Sequence, residues 1–424
     1  MLTKKRFKVL SLHPRKQHNF EQAAALAEIF QDDFRHVTSI YLDPGFVAKM
    51  RKWLPSLSNQ LAKRSYYKLP KKYVLSLPAA ELKKAWREKI NKGIHLDDYL
   101  NLNEFWQKTV LRRFRAPEIC ISYDSISNLV FKSWKKKSKL ILDLAIGLPQ
   151  YRQKIKFGDQ FKMTHLDEAD DQQKYLYKRY QTEIELADLI LCGSEFVKET
   201  VVYFFPQFEE KCKVLPYGVD LEKFDFPERS FSDKQDLKYV FVGRLSWRKG
   251  ADTMVEAWRQ FVKDHPLCEL HFFGVKDAEI SLDDLPANTF MHGWVSRPEL
   301  INRLKEMDVF VFPTTFEGSS TAVFQAMALK LPVITTRNSG TILKHGESCE
   351  IVETGNLSGL IQSMDKVFRN REYREKIANC AYELSKGYSW DDYRQRLTQI
   401  LQEAGLLEER ETKAKPETAI SNIK

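Results

Sequence analysis

Two cations in one short segment are placed to grip an anion. In Val240-Phe241-Val242-Gly243-Arg244-Leu245-Ser246-Trp247-Arg248-Lys249-Gly250 an apolar run ends at Gly243, Arg244 and Lys249 follow it, and a helical pattern starts after Gly250. Glycine lets the backbone turn and lets a ligand come close. Arginine offers a planar fork and lysine a point charge, a combination suited to a diphosphate. A second segment repeats the arrangement. After the apolar run ending at Phe312 come Glu317-Gly318-Ser319-Ser320-Thr321, and a helix is predicted from near Ser320. The free N–H groups and the dipole of a helix start favour an anion. Glu317, just outside that helix, can accept bonds from sugar hydroxyls, and Gln325 follows one to two turns inside it. The plainer readings are two solvated cations on a loop and a carboxylate stabilised by a helix dipole. Their common position at one edge of one domain favours the binding reading.

The elements that must carry these residues alternate strand and helix twice over. The first series reads Phe7–Leu12 (strand), a helix over Phe20–Gln31 capped by Asn19, Val37–Leu42, Glu118–Ser122, a helix over Ser125–Lys135, Leu140–Ala145, a polar helix over about Ala169–Leu186, Asp188–Cys192 and a helix over Glu195–Phe205. Between its early strands lies a basic, helix-leaning insertion, about 46–110, with Trp53, Trp86 and Trp106. The second series runs from the strand Lys238–Val242 through helices at Ala251–Lys263, Pro298–Lys305 and Thr321–Leu329 to the strand Pro332–Thr336. Short apolar strands separated by helices imply parallel sheets covered on both faces. The expected organisation is an α/β chain of two doubly wound, Rossmann-like domains, residues 1–218 and 237–388. Residues 219–236 form the linker, 389–407 a final helix and 408–424 a disordered tail. Ligands bind at the carboxyl ends of parallel strands, so both domains should feed one central cleft.

Charge separates the two halves. Of 424 residues, 1–139 hold 29 Lys and Arg against 12 Asp and Glu, while the whole chain carries +10, so the remainder is acidic. Clusters such as Lys71-Lys72, Arg112-Arg113 with Arg115, and Lys135-Lys136-Lys137 suit an anionic surface; the bland alternative is a well-solvated face. No apolar run approaches the roughly 20 residues that cross a bilayer, and the apolar stretch after the basic start is too short for a signal peptide. The six cysteines show no metal or redox spacing. These features point to a cytoplasmic protein, peripheral at the inner face of the cell membrane.

The ordered set Gly243-Arg244…Lys249-Gly250, Glu317-Gly318…Gln325-Ala326-Met327-Ala328…Pro332-Val333-Ile334-Thr335 resembles that of retaining glycosyltransferases of family four, with the GT-B fold. Cys192-Gly193-Ser194-Glu195-Phe196, Pro216-Tyr217-Gly218-Val219-Asp220…Phe224 and Gly293-Trp294-Val295 extend the likeness over about residues 185–355. The resemblance implies a nucleotide-diphosphate sugar as donor, bound by Arg244 and Lys249 at its diphosphate, by the Ser319–Thr321 turn at its distal phosphate and by Glu317 at its sugar, with Gly243 and Gly318 also on the donor-binding side. Gln325 replaces the second Glu that holds the ribose in relatives, and Val295 matches a base-contacting position. It also implies a final helix that packs back towards the first domain and retention at the anomeric carbon; no cofactor and no metal are expected, because the two cations and the helix dipole can do the work of a divalent ion and the chain has no Asp-x-Asp motif. The first domain matches less well: His13–His18 stand where relatives carry a glycine-rich loop. Asp143, expected at a strand end facing the cleft, is the acceptor-side candidate, with a turn or cap Asp as its alternative; His18 and His165 rank behind it. The acceptor is expected to be a saccharide or lipid-linked saccharide in cell-surface polysaccharide or glycolipid synthesis, at an anionic membrane, with no nucleic-acid partner. A sugar phosphorylase or epimerase of the same fold, or a non-catalytic membrane- or nucleic-acid-binding homologue, are the competing readings.

Overall fold

Runs such as Val309-Phe310-Val311-Phe312 and Leu189-Ile190-Leu191-Cys192 are buried at every position, which only a strand covered on both faces permits. They sit in two all-parallel sheets. The computed structural model describes residues 4–51, 61–62, 64–83, 96–224, 229–278 and 280–408. The first sheet contains β1 (Val9–Leu12), β2 (Phe34–Thr38), β3 (Val74–Ser76), β4 (Ile119–Tyr123), β5 (Lys139–Leu144), β6 (Leu189–Cys192) and β7 (Cys212–Val214), in the order β3-β2-β1-β4-β5-β6-β7. The second contains β8 (Lys238–Val242), β9 (Glu269–Phe273), β10 (Thr289–Gly293), β11 (Val309–Phe312), β12 (Val333–Thr336) and β13 (Glu350–Val352), in the order β10-β9-β8-β11-β12-β13.

In each sheet the order reverses once, between β1 and β4 and between β8 and β11. Loops leaving the carboxyl ends of those strand pairs diverge to opposite sides and open a crevice. Two doubly wound domains thus face each other as expected. The last helix, Trp390–Glu403, buries Tyr393, Leu397 and Leu401 in the core of the first domain beside Phe20 and Leu26. A Ser389 capping box, with Asp392 returning the bond, starts that helix.

Several expectations are corrected. The segment 46–110 is not simply a helical insertion: it supplies β3, paired in register with β2 (Val37 opposite Leu75). Trp106 is 1% exposed and belongs to the core; Trp53 and Trp86 lie outside the described residues, as does the 409–424 stretch of the proposed tail. Asn19 is not a cap. The helix Asn19–Phe30 starts after His18, with no side-chain cap, and Asn19 turns inward to His36 at 3.2 Å. The helix expected over Ser125–Lys135 begins only at Asn128, because Ser125 is held with φ +62° by the buried Glu183 carboxylate. That carboxylate accepts the N–H groups of Ser125, Ser127 and Asn128 at 2.8–3.0 Å.

Candidate active site

Glycine at two positions brings the loops after β8 and β11 into contact. Gly250 has φ +71°, and a Cβ there would lie 2.0 Å from the Pro313 carbonyl oxygen. The Arg248 carbonyl then accepts bonds from Thr315 N (3.0 Å) and Thr314 Oγ1 (2.8 Å). This pairing places Lys249 Nζ 2.6 Å from Glu317 Oε1, with both side chains largely buried. Arg248 donates to the same carboxylate oxygen and, at 3.1 Å, to the Phe316 carbonyl. Burial lowers the Lys249 pKa, opposed by the charge of Glu317. Glu317 is therefore the fixed counter-ion of a two-cation cluster.

Beside that cluster the helix Thr321–Ala328 starts at Ser320, with no side-chain bond capping its first turn. Ser319 accepts a bond from Tyr217 N at 3.2 Å. Gly318 touches the opposite domain: a Cβ on it would stand 1.8 Å from the Ala145 carbonyl oxygen. Gly243, Lys249, Glu317, Gly318, Ser319, Ser320, Thr321 and Gln325 all line one interdomain cavity of about 570 Å³.

Two of the named residues stand elsewhere. Arg244 is not in that lining; its guanidinium reaches out to Asp277 at 2.7 Å and is more than half exposed. Arg248, quoted in the motif and given no role, takes the place in the cavity wall. Both follow the same strand, and only the turn through Trp247–Lys249 decides which faces inward. Val295, past the edge strand β10, is half-buried against the second-domain core rather than in the cavity.

The facing wall comes from the loops after β1, β4 and β5. Asp143 does not face the cleft. It is 3% exposed and lies behind His18, whose Nε2 is 3.1 Å from Asp143 Oδ1. Gln22 Nε2 donates to the other carboxylate oxygen at 2.5 Å and to Tyr393 Oη at 3.0 Å, so the final helix braces this pair from behind. Tyr217 stacks on the His18 ring with centroids 4.3 Å apart. His18 is the cleft-facing group and Asp143 its orienter. The sequence carried no local signal for the pair, since its members lie 125 positions apart. Asp124 lines the same wall and accepts bonds from Tyr180 Oη (2.6 Å) and Ala145 N (3.1 Å), with its pKa raised by burial. His165 is not in the cavity lining and stacks on Phe157. Among the described residues no three His, Cys, Asp or Glu side chains gather as a metal site, and no helix is long and apolar enough to cross a membrane.

Two parallel-sheet domains whose switch points oppose across a cationic, helix-terminated cleft define a GT-B protein. Residues 222–384, most of the second domain, match the family described as glycosyl transferases group 1. The chain is similar to the capsular polysaccharide biosynthesis glycosyltransferase CapM of Staphylococcus aureus, 27% identical over 223 residues, 48% of this chain and 58% of that one. It is similar to the UDP-Gal:alpha-D-GlcNAc-diphosphoundecaprenol alpha-1,3-galactosyltransferase of Escherichia coli, 26% identical over 198 residues, 42% of this chain and 51% of that one. These matches thus span little more than half of each relative. Among solved structures, Anabaena HepE in complex with UDP superposes with a TM-score of 0.59 at 15% identity, covering 94% of this chain and all of that one.

Proposed function

We propose that the protein transfers a sugar from a nucleotide-diphosphate donor to a hydroxyl of a saccharide or lipid-linked saccharide in polysaccharide synthesis. The observation that carries this reading is the clustering of Arg248 and Lys249 on Glu317 beside an uncapped helix start, at the switch point of the second sheet. Negative charge grows on the leaving diphosphate as the glycosidic bond breaks. Cations and a helix terminus already aimed at that charge stabilise the transition state more than the bound donor. The name of the Escherichia coli relative and the UDP in the HepE complex support a nucleotide-sugar donor, and the name of CapM supports polysaccharide synthesis. Arg244 reaches the diphosphate from the rim by leaving Asp277. Gln325, in the cavity lining, offers an amide to the ribose hydroxyls. Retention follows from the family resemblance. Charge neutralisation by side chains and helix makes turnover independent of a divalent ion.

On the acceptor side, His18 presents an imidazole held by Asp143 and Tyr217. Tyr217 Oη stands 3.3 Å from His18 Nε2, while Tyr123 Oη donates to Gln22 Oε1 at 2.6 Å behind it, and burial raises the pKa of both phenols. The test is a nucleotide-sugar panel screened for thermal stabilisation, followed by acceptor-dependent release of nucleoside diphosphate with and without EDTA. Sugar release that requires free phosphate instead, or no stabilising nucleotide sugar, would overturn the assignment.

A further inference from the structure

Three cationic runs far apart in the chain meet at the amino-terminal edge of the first sheet. The adjacent strands β1, β4 and β5 are each preceded by one: Lys4-Lys5-Arg6, Arg112-Arg113-Phe114-Arg115 and Lys135-Lys136-Lys137. Backbone bonds lock them together. Lys5 N donates to the Arg113 carbonyl at 3.1 Å and Arg115 N to the Lys5 carbonyl at 2.9 Å. Ser138 Oγ ties the third run to the Pro117 carbonyl at 2.6 Å. Between them lies a groove of about 540 Å³, rimmed by Lys4, Arg6, Arg115 and Lys137 over the buried rings of Phe114 and Trp134. A smaller hollow beside it adds Lys5, Arg112 and Arg113.

Soluble surfaces ordinarily intersperse the two signs of charge. Here, among the described residues, no carboxylate lies within ion-pair distance of any of the four rim cations, whereas the neighbouring Lys135 is neutralised by Asp188 at 2.7 Å. A concave cluster of unpaired cations on a rigid floor focuses a positive potential. Seven cations spread across three neighbouring strand ends exceed the need of one phosphate group. The aromatic rings are covered, so bases have nothing to stack on, as single-stranded nucleic acid requires.

We propose that this edge docks on an anionic phospholipid bilayer, with headgroup phosphates entering the groove. The groove belongs to the amino ends of the strands and the cleft to their carboxyl ends. Five-residue β4 separates the two by about 16 Å, and docking leaves the cleft open.

The experiment is flotation of the full chain with phosphatidylglycerol/phosphatidylcholine vesicles and with phosphatidylcholine vesicles alone, at low and high salt. One variant carries Lys4→Glu, Arg6→Glu, Arg115→Glu and Lys137→Glu. A control of equal net charge carries Lys263→Glu, Arg303→Glu, Lys344→Glu and Lys376→Glu, all exposed on the second domain. Each surface cation contributes roughly fivefold to partitioning. The groove variant should therefore bind anionic vesicles at least a hundredfold more weakly, with its melting temperature kept, while the control stays within about tenfold of the parent. A neutral set with Gln at the four groove positions should fall in between. Equal losses in groove variant and control, no anionic-vesicle binding by the parent at low salt, equal binding to neutral vesicles, or binding to nucleic acid alone would each overturn the proposal. None of these readouts depends on the donor, so their failure is separable from that of the transferase reading.

Discussion

Replacing Lys249 by alanine removes one charge from the cleft without dismantling its wall. Lys249 contributes a bond of 2.6 Å to Glu317 from a largely buried position, so its ammonium is held where it stands rather than wandering in solvent; the Glu317 charge opposes the lowering of its pKa by burial. A hydrogen bond to a charged group is worth about 1.5–3 kcal/mol, which corresponds to roughly 10–150-fold in rate. Loss of one donor aimed at developing charge costs on the order of 10²–10³ in kcat. The expected fall in kcat/KM is therefore about a hundredfold, carried mainly by kcat because the diphosphate gains charge in the transition state. Stability should change little, since Arg248 still bonds the Glu317 carboxylate. The assay is initial-rate release of nucleoside diphosphate across donor concentrations, paired with a thermal melt of the same sample. Activity within threefold of the parent, or an activity loss matched by collapse of the melt, would refute the reasoning.

Further outcomes follow from other parts of the molecule. Gly318→Ala forces a Cβ against the Ala145 carbonyl across the interdomain contact; overpacking costs about 1–3 kcal/mol, so transfer should fall more than tenfold with a lowered Tm, and an unchanged enzyme would show that the domains stand further apart. Asp277 competes for Arg244: Arg244→Ala should weaken donor binding about tenfold and Asp277→Asn should leave it equal or tighter, as read by calorimetry, with equal weakening by both marking the pair as structural. His13 and His36 are buried and neutral, each with its pKa lowered by burial to about 3. The unfolded chain protonates them below about 6.5, so the stability they contribute is present above that pH and is lost as pH falls, by about 1.4 kcal/mol per unit for each. Glu183 acts oppositely: burial raises its carboxyl to about 7, so its contribution is greatest at low pH and is lost as pH rises through 7. The net acid limb should have a slope near that of one histidine between pH 6.5 and 5, and His36→Gln should flatten it in urea titrations.

The sequence alone determined the two-domain α/β architecture and most of the second-domain residues that line the cleft. Buried parallel strands declare themselves as short apolar runs, and the glycines, cations and small residues after β8 and β11 are local features, readable without knowing the fold. Three-residue strands such as β3, β7 and β13 carry no periodicity and exist only because a neighbouring strand accepts their bonds, so they went unread. The tertiary structure also decided which of Arg244 and Arg248 faces inward, because one turn of chain between them sets the direction. It joined His18 to Asp143, and Gln22 to Tyr393 of the final helix, over separations that no local pattern spans. It drew Trp106 into the core and gathered three distant basic runs on one sheet edge. Spacing along a chain reports what a single element can hold. Which side chains share a cavity is settled by strand order, and strand order is a property of the whole sheet.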